Sequence, residues 1–141
     1  MTSPGGRRAV AMCLGLMLFV QTTGFGIVNF HAKSILLMAK ITMDPNLATV
    51  MIGAVQLVGN IVSAGLVDRV GRKRLLTISG AMIVVSMFLL ATYFHYRDSE
   101  FLRAARWTPV LFLSTFVFFF PLGWGSIPYI LLAELVPTAI R

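Results

Sequence analysis

Thr49, Gly53, Gln56, Asn60 and Ser63 recur at spacings of four, three, four and three within an otherwise apolar stretch. On an α-helix that spacing sets all five on one stripe. Amides carry both donors and acceptors, and hydroxyls do the same. Such a stripe can bond a polar solute rich in hydroxyl groups. It can equally bond a neighbouring helix, where small residues admit close approach. The pattern leaves the two uses open.

Two other apolar stretches carry similar chemistry. In "QTTGFGIVNF", Gln21, Thr22, Thr23 and Asn29 are polar, and Gly24 and Gly26 interrupt the helix between them. Each glycine costs about 1 kcal/mol relative to alanine in a helix interior. Glycines beside amides characterise broken helices that line transport sites, although a closely packed helix would also use them. In "FFFPLGWGSIPYILLAEL", Pro121 and Pro128 each remove a backbone donor, with Gly123 and Gly125 between them. A bend or break is predicted there. Trp124 and Tyr129 flank it, and an aromatic face beside amides suits a sugar, with its apolar C–H patches and hydroxyl rim. Phe116, Phe118, Phe119 and Phe120 read as packing or lipid contact.

The charged groups are concentrated. "VDRVGRKR", residues 67–74, holds Asp68, Arg69, Arg72, Lys73 and Arg74 between two apolar runs. Glu134 ends the last apolar run. It is either simply solvated or paired with that basic loop.

Long elements must position these residues. Of 141 residues 57% are hydrophobic and 12% charged, too few to cover a soluble domain. Mean hydropathy is +0.86. Four spans are predicted, Ala9–Phe30, Leu47–Val67, Leu75–Phe94 and Thr108–Ala133, each near the ~20 residues that cross a bilayer. They are helices, because lipid offers the backbone no partners and the alternation of a barrel is absent. Residues 1–8 form a short N-terminal segment and residues 9–141 the membrane domain. A start of two arginines followed by apolar sequence mimics a signal peptide. The apolar run is longer than such a region, and "QTTGFG" is a poor cleavage site, so a span is the better reading. Asn46 reads as an N-cap for the second span, after Pro45.

The net charge of +7 would suggest nucleic acid in a soluble protein. Here the bases sit at the ends of spans, so topology explains them and no nucleic-acid partner is expected. The side with the amino terminus, the tight loop and Arg141 carries seven bases, against five on the other. This places both termini in the cytoplasm. Cys13 is the single cysteine, so no internal disulfide can form, and packing is its expected role. His31 and His95 lie 64 residues apart with no nucleophile or ligand set around them. An enzyme, a bound metal and a cofactor are therefore not expected.

These segments together resemble the sugar porter family of the major facilitator superfamily, across about Ala9 to Arg141. Gln21 with Gly24 resembles the Q-Q-x-x-G-x-N of helix seven. Asp68-Arg69-Val70-Gly71-Arg72-Lys73 resembles the D-R-x-G-R-[RK] loop between helices eight and nine. Gly123-x-Gly125-x-Ile127-Pro128-Tyr129, then Ala133-Glu134-Leu135 and Arg141, resembles G-x-G-P-I-P-W…E-[LI]…R of helix ten. The resemblance implies an all-α membrane fold, here four helices from the C-terminal six-helix half of a twelve-helix carrier. It implies a trehalose or hexose substrate, alternating access, and a multi-pass position in the plasma membrane. Sugar contacts would be Gln21, Gln56 and Tyr129. Asp68, Arg69, Arg72, Glu134 and Arg141 would form a cytoplasmic ion-pair gate. The chain departs from the pattern at Val20, Gly26, Gln56, Ser126 and Tyr129, and the first two remove expected sugar hydrogen bonds. With eight helices missing, the chain is not expected to transport alone, and the remaining helices of the carrier become its partners in the bilayer. A second class of function is a non-transporting membrane subunit that associates with a full carrier and modulates it.

Overall fold

Apolar runs this long satisfy their backbones by closing into helices. The computed structural model describes residues 4–96, 98–104 and 106–140, and among these every regular element is helical. The elements are α1 (Pro4–Thr22), α2 (Phe25–Met38), α3 (Pro45–Val70), α4 (Arg72–His95), α5 (Glu100–Ala104), α6 (Thr108–Phe120), a π-helical turn (Pro121–Gly125) and α7 (Ile127–Ile140). They make four membrane-length stretches: Pro4–Met38, Pro45–Val70, Arg72–His95 and Thr108–Glu134. The first helical stretch runs well past Phe30, because the break inside it lets a second helix continue to Met38.

The break falls at Thr23 and Gly24. Gly24 adopts φ 72°, ψ 12°, a left-handed conformation that costs a residue with a Cβ about 1–2 kcal/mol. Carbonyls near the break gain side-chain donors: Thr22 Oγ1 donates to Leu18 O at 2.8 Å and Thr23 Oγ1 to Val20 O at 2.6 Å. Gly26 is already inside α2, so the helix resumes before it. Pro128 likewise sits within the first turn of α7, where a missing N–H is tolerated.

The second stretch begins one cap earlier than expected. Asp44, not Asn46, is the N-cap: its carboxylate accepts the Asn46 N–H at 3.0 Å, with Pro45 in the first turn. A carboxylate reaches that donor more readily than an amide already committed to the helix. The turn from α3 to α4 is made by Gly71 alone, at φ 88°, ψ 140°. The bases Arg72, Lys73 and Arg74 then occupy the first turn of α4, against the helix macrodipole. Helix stability does not ask for them there, so their placement reflects another demand.

α6 packs between α3 and α4, the π-turn lies against both, α1 lies against α7, and α2 against α3. The main core joins Leu36, Ala48, Ile52, Ile83, Leu90, Leu113, Phe116, Val117 and Phe120. A second cluster, of Val67, Leu75, Leu122 and Ile127, sits near the α3–α4 turn. Of the phenylalanine run, Phe116 and Phe120 are buried, which makes them packing residues. Outward faces present Leu18, Phe30, Ile61 and Phe88. Cys13 is buried and free.

Candidate functional site

The polar stripe of α3 divides between two jobs. Thr49 donates to Pro45 O of its own helix at 2.8 Å. Ser63 is buried, and its Oγ donates to Pro121 O at 2.8 Å. Ser126 Oγ also reaches Pro121 O at 2.8 Å, with the two hydroxyls 3.1 Å apart. A carbonyl has two lone pairs, so Pro121 O, in the π-turn, can accept from both hydroxyls. Ser63 is therefore glue that ties α3 to the break.

Gln56 and Asn60 do something different. With Gln21 and Tyr129 they line one cavity of about 270 Å³. Its other walls are Val20, Phe25, Gly26, Phe120, Pro121 and Gly125. This is near the lower end of small-molecule sites, about 300–1,000 Å³. The three substrate contacts expected from sequence, Gln21, Gln56 and Tyr129, thus come together. They come from three helices: Gln21 and Gln56 lie near the middle of their membrane-length stretches, and Tyr129 lies five residues before the end of its own. Both helix breaks border the cavity, through Phe25 and Gly26 on one side and Pro121 and Gly125 on the other.

A ring stack joins the two breaks. Phe25, the first residue after the Gly24 break, stacks on Phe120, the last before the π-turn, at 3.8 Å and 5°. Phe116 extends the stack, 6.3 Å from each. The individual rings were visible in the sequence, but no local signal pairs residues 95 positions apart. Gly59, off the polar stripe, is the close-approach glycine of α3, not Gly53 on it. A Cβ on Gly59 would lie 2.8 Å from Phe118 O, whereas one on Gly53 would meet nothing. Trp124 points away from the polar cavity: with Phe19, Thr22, Thr23 and Gly80 it lines a separate apolar space of about 330 Å³. A larger hollow of about 390 Å³, between α3 and α6, is walled almost wholly by apolar side chains and offers little to a polar solute.

At the end of the bundle nearest the α3–α4 turn, Arg72 and Glu134 form a two-pronged ion pair, Nη1 to Oε2 and Nη2 to Oε1. The fork of arginine matches a carboxylate in this way, where a lysine would act only as a point charge. Both side chains remain well exposed. Asp68 adds a weaker electrostatic pull on the same guanidinium. Arg69 is exposed at the end of α3. Arg141 lies outside the described residues. Glu134 and Tyr129 stand on one helix five residues apart, about 7.5 Å along its axis.

Four membrane-length helices, two of them broken beside a mid-span polar cavity, define a polytopic membrane protein of transport type. The family described as "Sugar (and other) transporter" matches residues 1–141. The chain is 39% identical over 134 residues to the facilitated trehalose transporter Tret1 of Bombyx mori, covering 94% of this chain and 26% of that protein. Tret1 of Apis mellifera ligustica is 34% identical, covering 95% and 27%. Tret1 of Anopheles gambiae is 33% identical, covering 95% and 17%. No solved structure matches the chain. The chain belongs to the sugar porter family of the major facilitator superfamily, whose members are transporters and not enzymes. It spans about a quarter or less of the length of these curated relatives.

Proposed function

We propose that this chain is part of a facilitative sugar carrier that works by alternating access. The polar cavity is its share of the sugar path, and the Arg72–Glu134 pair is its cytoplasmic gate. One observation carries the reading: Gln21, Gln56 and Tyr129, far apart in sequence, meet at one mid-span cavity. Polar groups at that depth are costly unless they face a partner or a wet space. The relatives' names make trehalose, or a sugar like it, the first solute to test. The working carrier also needs helices beyond these four, with both termini of this chain on the cytoplasmic side of the plasma membrane.

The test is sugar uptake by the native product that carries these residues, in cells without endogenous uptake. Gln56→Leu is expected to lower uptake about tenfold at unchanged surface level, the cost of one lost hydrogen bond to a bound solute. Unchanged uptake would sink the sugar-path reading. Unchanged uptake with lost association to another carrier would favour a modulating subunit.

The gate is tested separately. Arg72 and Glu134 hold the basic turn to α7, so the pair resists any motion that separates them. Glu134→Ala is expected to shift the carrier toward its inward-facing state, and exchanging the two residues should restore the balance. Binding of outward- and inward-specific inhibitors reads the shift. Parental binding of both would remove the gate.

A further inference from the structure

We infer that Asn60 is a specificity-determining residue of the cavity, forming with Gln56 an amide pair that grips adjacent hydroxyls of the solute. This rests on the carrier reading above. The resemblance that supplied Gln21, Gln56 and Tyr129 does not supply Asn60, which is brought forward by its surroundings.

The first observation is an inventory of the α3 stripe. Thr49 and Ser63 spend their hydroxyls on Pro45 O and Pro121 O. Gly53 has no side chain to offer. Gln56 and Asn60 remain, and among the described residues neither amide has a hydrogen bond. Hydroxyls elsewhere behave like Thr49: those of Thr22, Thr23, Thr77, Ser86 and Thr115 are satisfied on their own helices. Two amides on one wall of a mid-span cavity are thus left with capacity that the chain does not use.

The second observation is the opposite wall. Val20 and Gly26 line the same cavity. Neither side chain can hydrogen-bond. Of the cavity-lining residues of α1 and α2, Gln21 alone brings an amide, so further partners for a solute with several hydroxyls come from α3, where Asn60 stands one turn from Gln56.

The chemistry fits a diol. Residues at i and i+4 place their Cβ atoms about 5–6 Å apart on one face. Each amide both donates and accepts, as each hydroxyl does. Two such amides can take two neighbouring hydroxyls with every donor and acceptor used. A site built to bond a hydroxyl rejects the analogue that lacks it, since its own polar group is then stranded. The competing role for Asn60 is a bond to a further helix of the carrier, and the experiment is chosen to separate the two.

Uptake of radiolabelled trehalose and glucose would be measured for the native product, with competition by singly deoxygenated analogues of each. Surface level would be followed throughout. Asn60→Leu is expected to raise KM about tenfold with the maximal rate unchanged. One deoxy analogue, about tenfold weaker than its parent sugar against the native protein, should show no further loss against Asn60→Leu. Asn60→Ser keeps a short hydroxyl and should recover part of the affinity. An unchanged KM overturns the inference. So does a loss spread equally over all analogues together with a lower surface level, which is the signature of helix contact. If the native protein takes up neither sugar, the carrier reading itself falls and Asn60 falls with it. Uptake by the native protein with an indifferent Asn60→Leu leaves that reading standing and removes only this one.

Discussion

Phe120→Ala is expected to destabilise the protein by about 3 kcal/mol, the lower end of the range for removing a buried aromatic ring. The lower end is chosen for a physical reason. In lipid, an apolar side chain gains little by leaving its solvent, so helix packing rests on contact rather than on transfer from water. What remains is lost dispersion and an unfilled hole. Phe120 is 5% exposed and lies flat on Phe25. Removing it strips the stack from both helix breaks at once and opens the wall of the polar cavity. Phe120→Leu, which retains bulk but not the ring face, should cost about 1–2 kcal/mol, as expected for an imperfect apolar replacement. Thermal denaturation in detergent, read as loss of monodisperse protein, checks both. Equal losses in the two variants would mean that the ring stack matters and volume does not, and parental stability of Phe120→Leu would mean the reverse. Activity should fall more than stability implies, because the cavity shares this wall.

Gly123→Ala is the second large effect, and its cause is opposite: too much material. A Cβ at Gly123 would stand 1.8 Å from Ser79 Oγ, 2.9 Å from Ser79 Cβ and 3.1 Å from Leu75 O. Rotation of the hydroxyl could relieve the first contact. It cannot relieve the other two, which involve a Cβ and the backbone of α4. The π-turn must move away from α4 or α4 must bend. Overpacking of this kind costs about 3 kcal/mol at the upper end of its usual range. Ser79→Gly in the same chain removes the Oγ and Cβ contacts and leaves, of these three, Leu75 O. The double variant is therefore expected to recover most of the loss, beyond what the two single changes predict by addition. Simple additivity, measured by the same denaturation, would show that Gly123 serves a different purpose. A larger side chain such as Gly123→Val should prevent accumulation at the membrane altogether.

These predictions turn on contacts of very different legibility. That the chain crosses a membrane follows from composition and run length, since nothing but a helix can satisfy a backbone in hydrocarbon. The breaks at Gly24 and at Pro121–Gly125 were legible for the same kind of reason: glycine and proline change backbone options wherever they stand. From the residues alone, Glu134 was legible as either solvated or paired with the basic loop, and which base it meets was not. Charges at span ends have few places to go.

Other features were out of reach. The usual guide to a helix's inner face is contrast between apolar and polar sides, and a membrane helix lacks it because lipid and core are both apolar. Phe116 and Phe120 could therefore not be told from exposed rings such as Phe30. The same lack of contrast hid Gly59 behind Gly53.

The α3 stripe marks the boundary most clearly. Sequence alone determined that Gln56, Asn60 and Ser63 share a face and must meet something polar, because helical geometry fixes their spacing and hydrocarbon penalises them unpaired. Only the tertiary structure decided what each one meets. The irregular π-turn of a helix nearly sixty residues away offers Ser63 a carbonyl at 2.8 Å, shared with Ser126. A few residues along the same stripe, Gln56 and Asn60 find a cavity instead. Those partners come from other helices, and no local pattern on α3 encodes where another helix breaks.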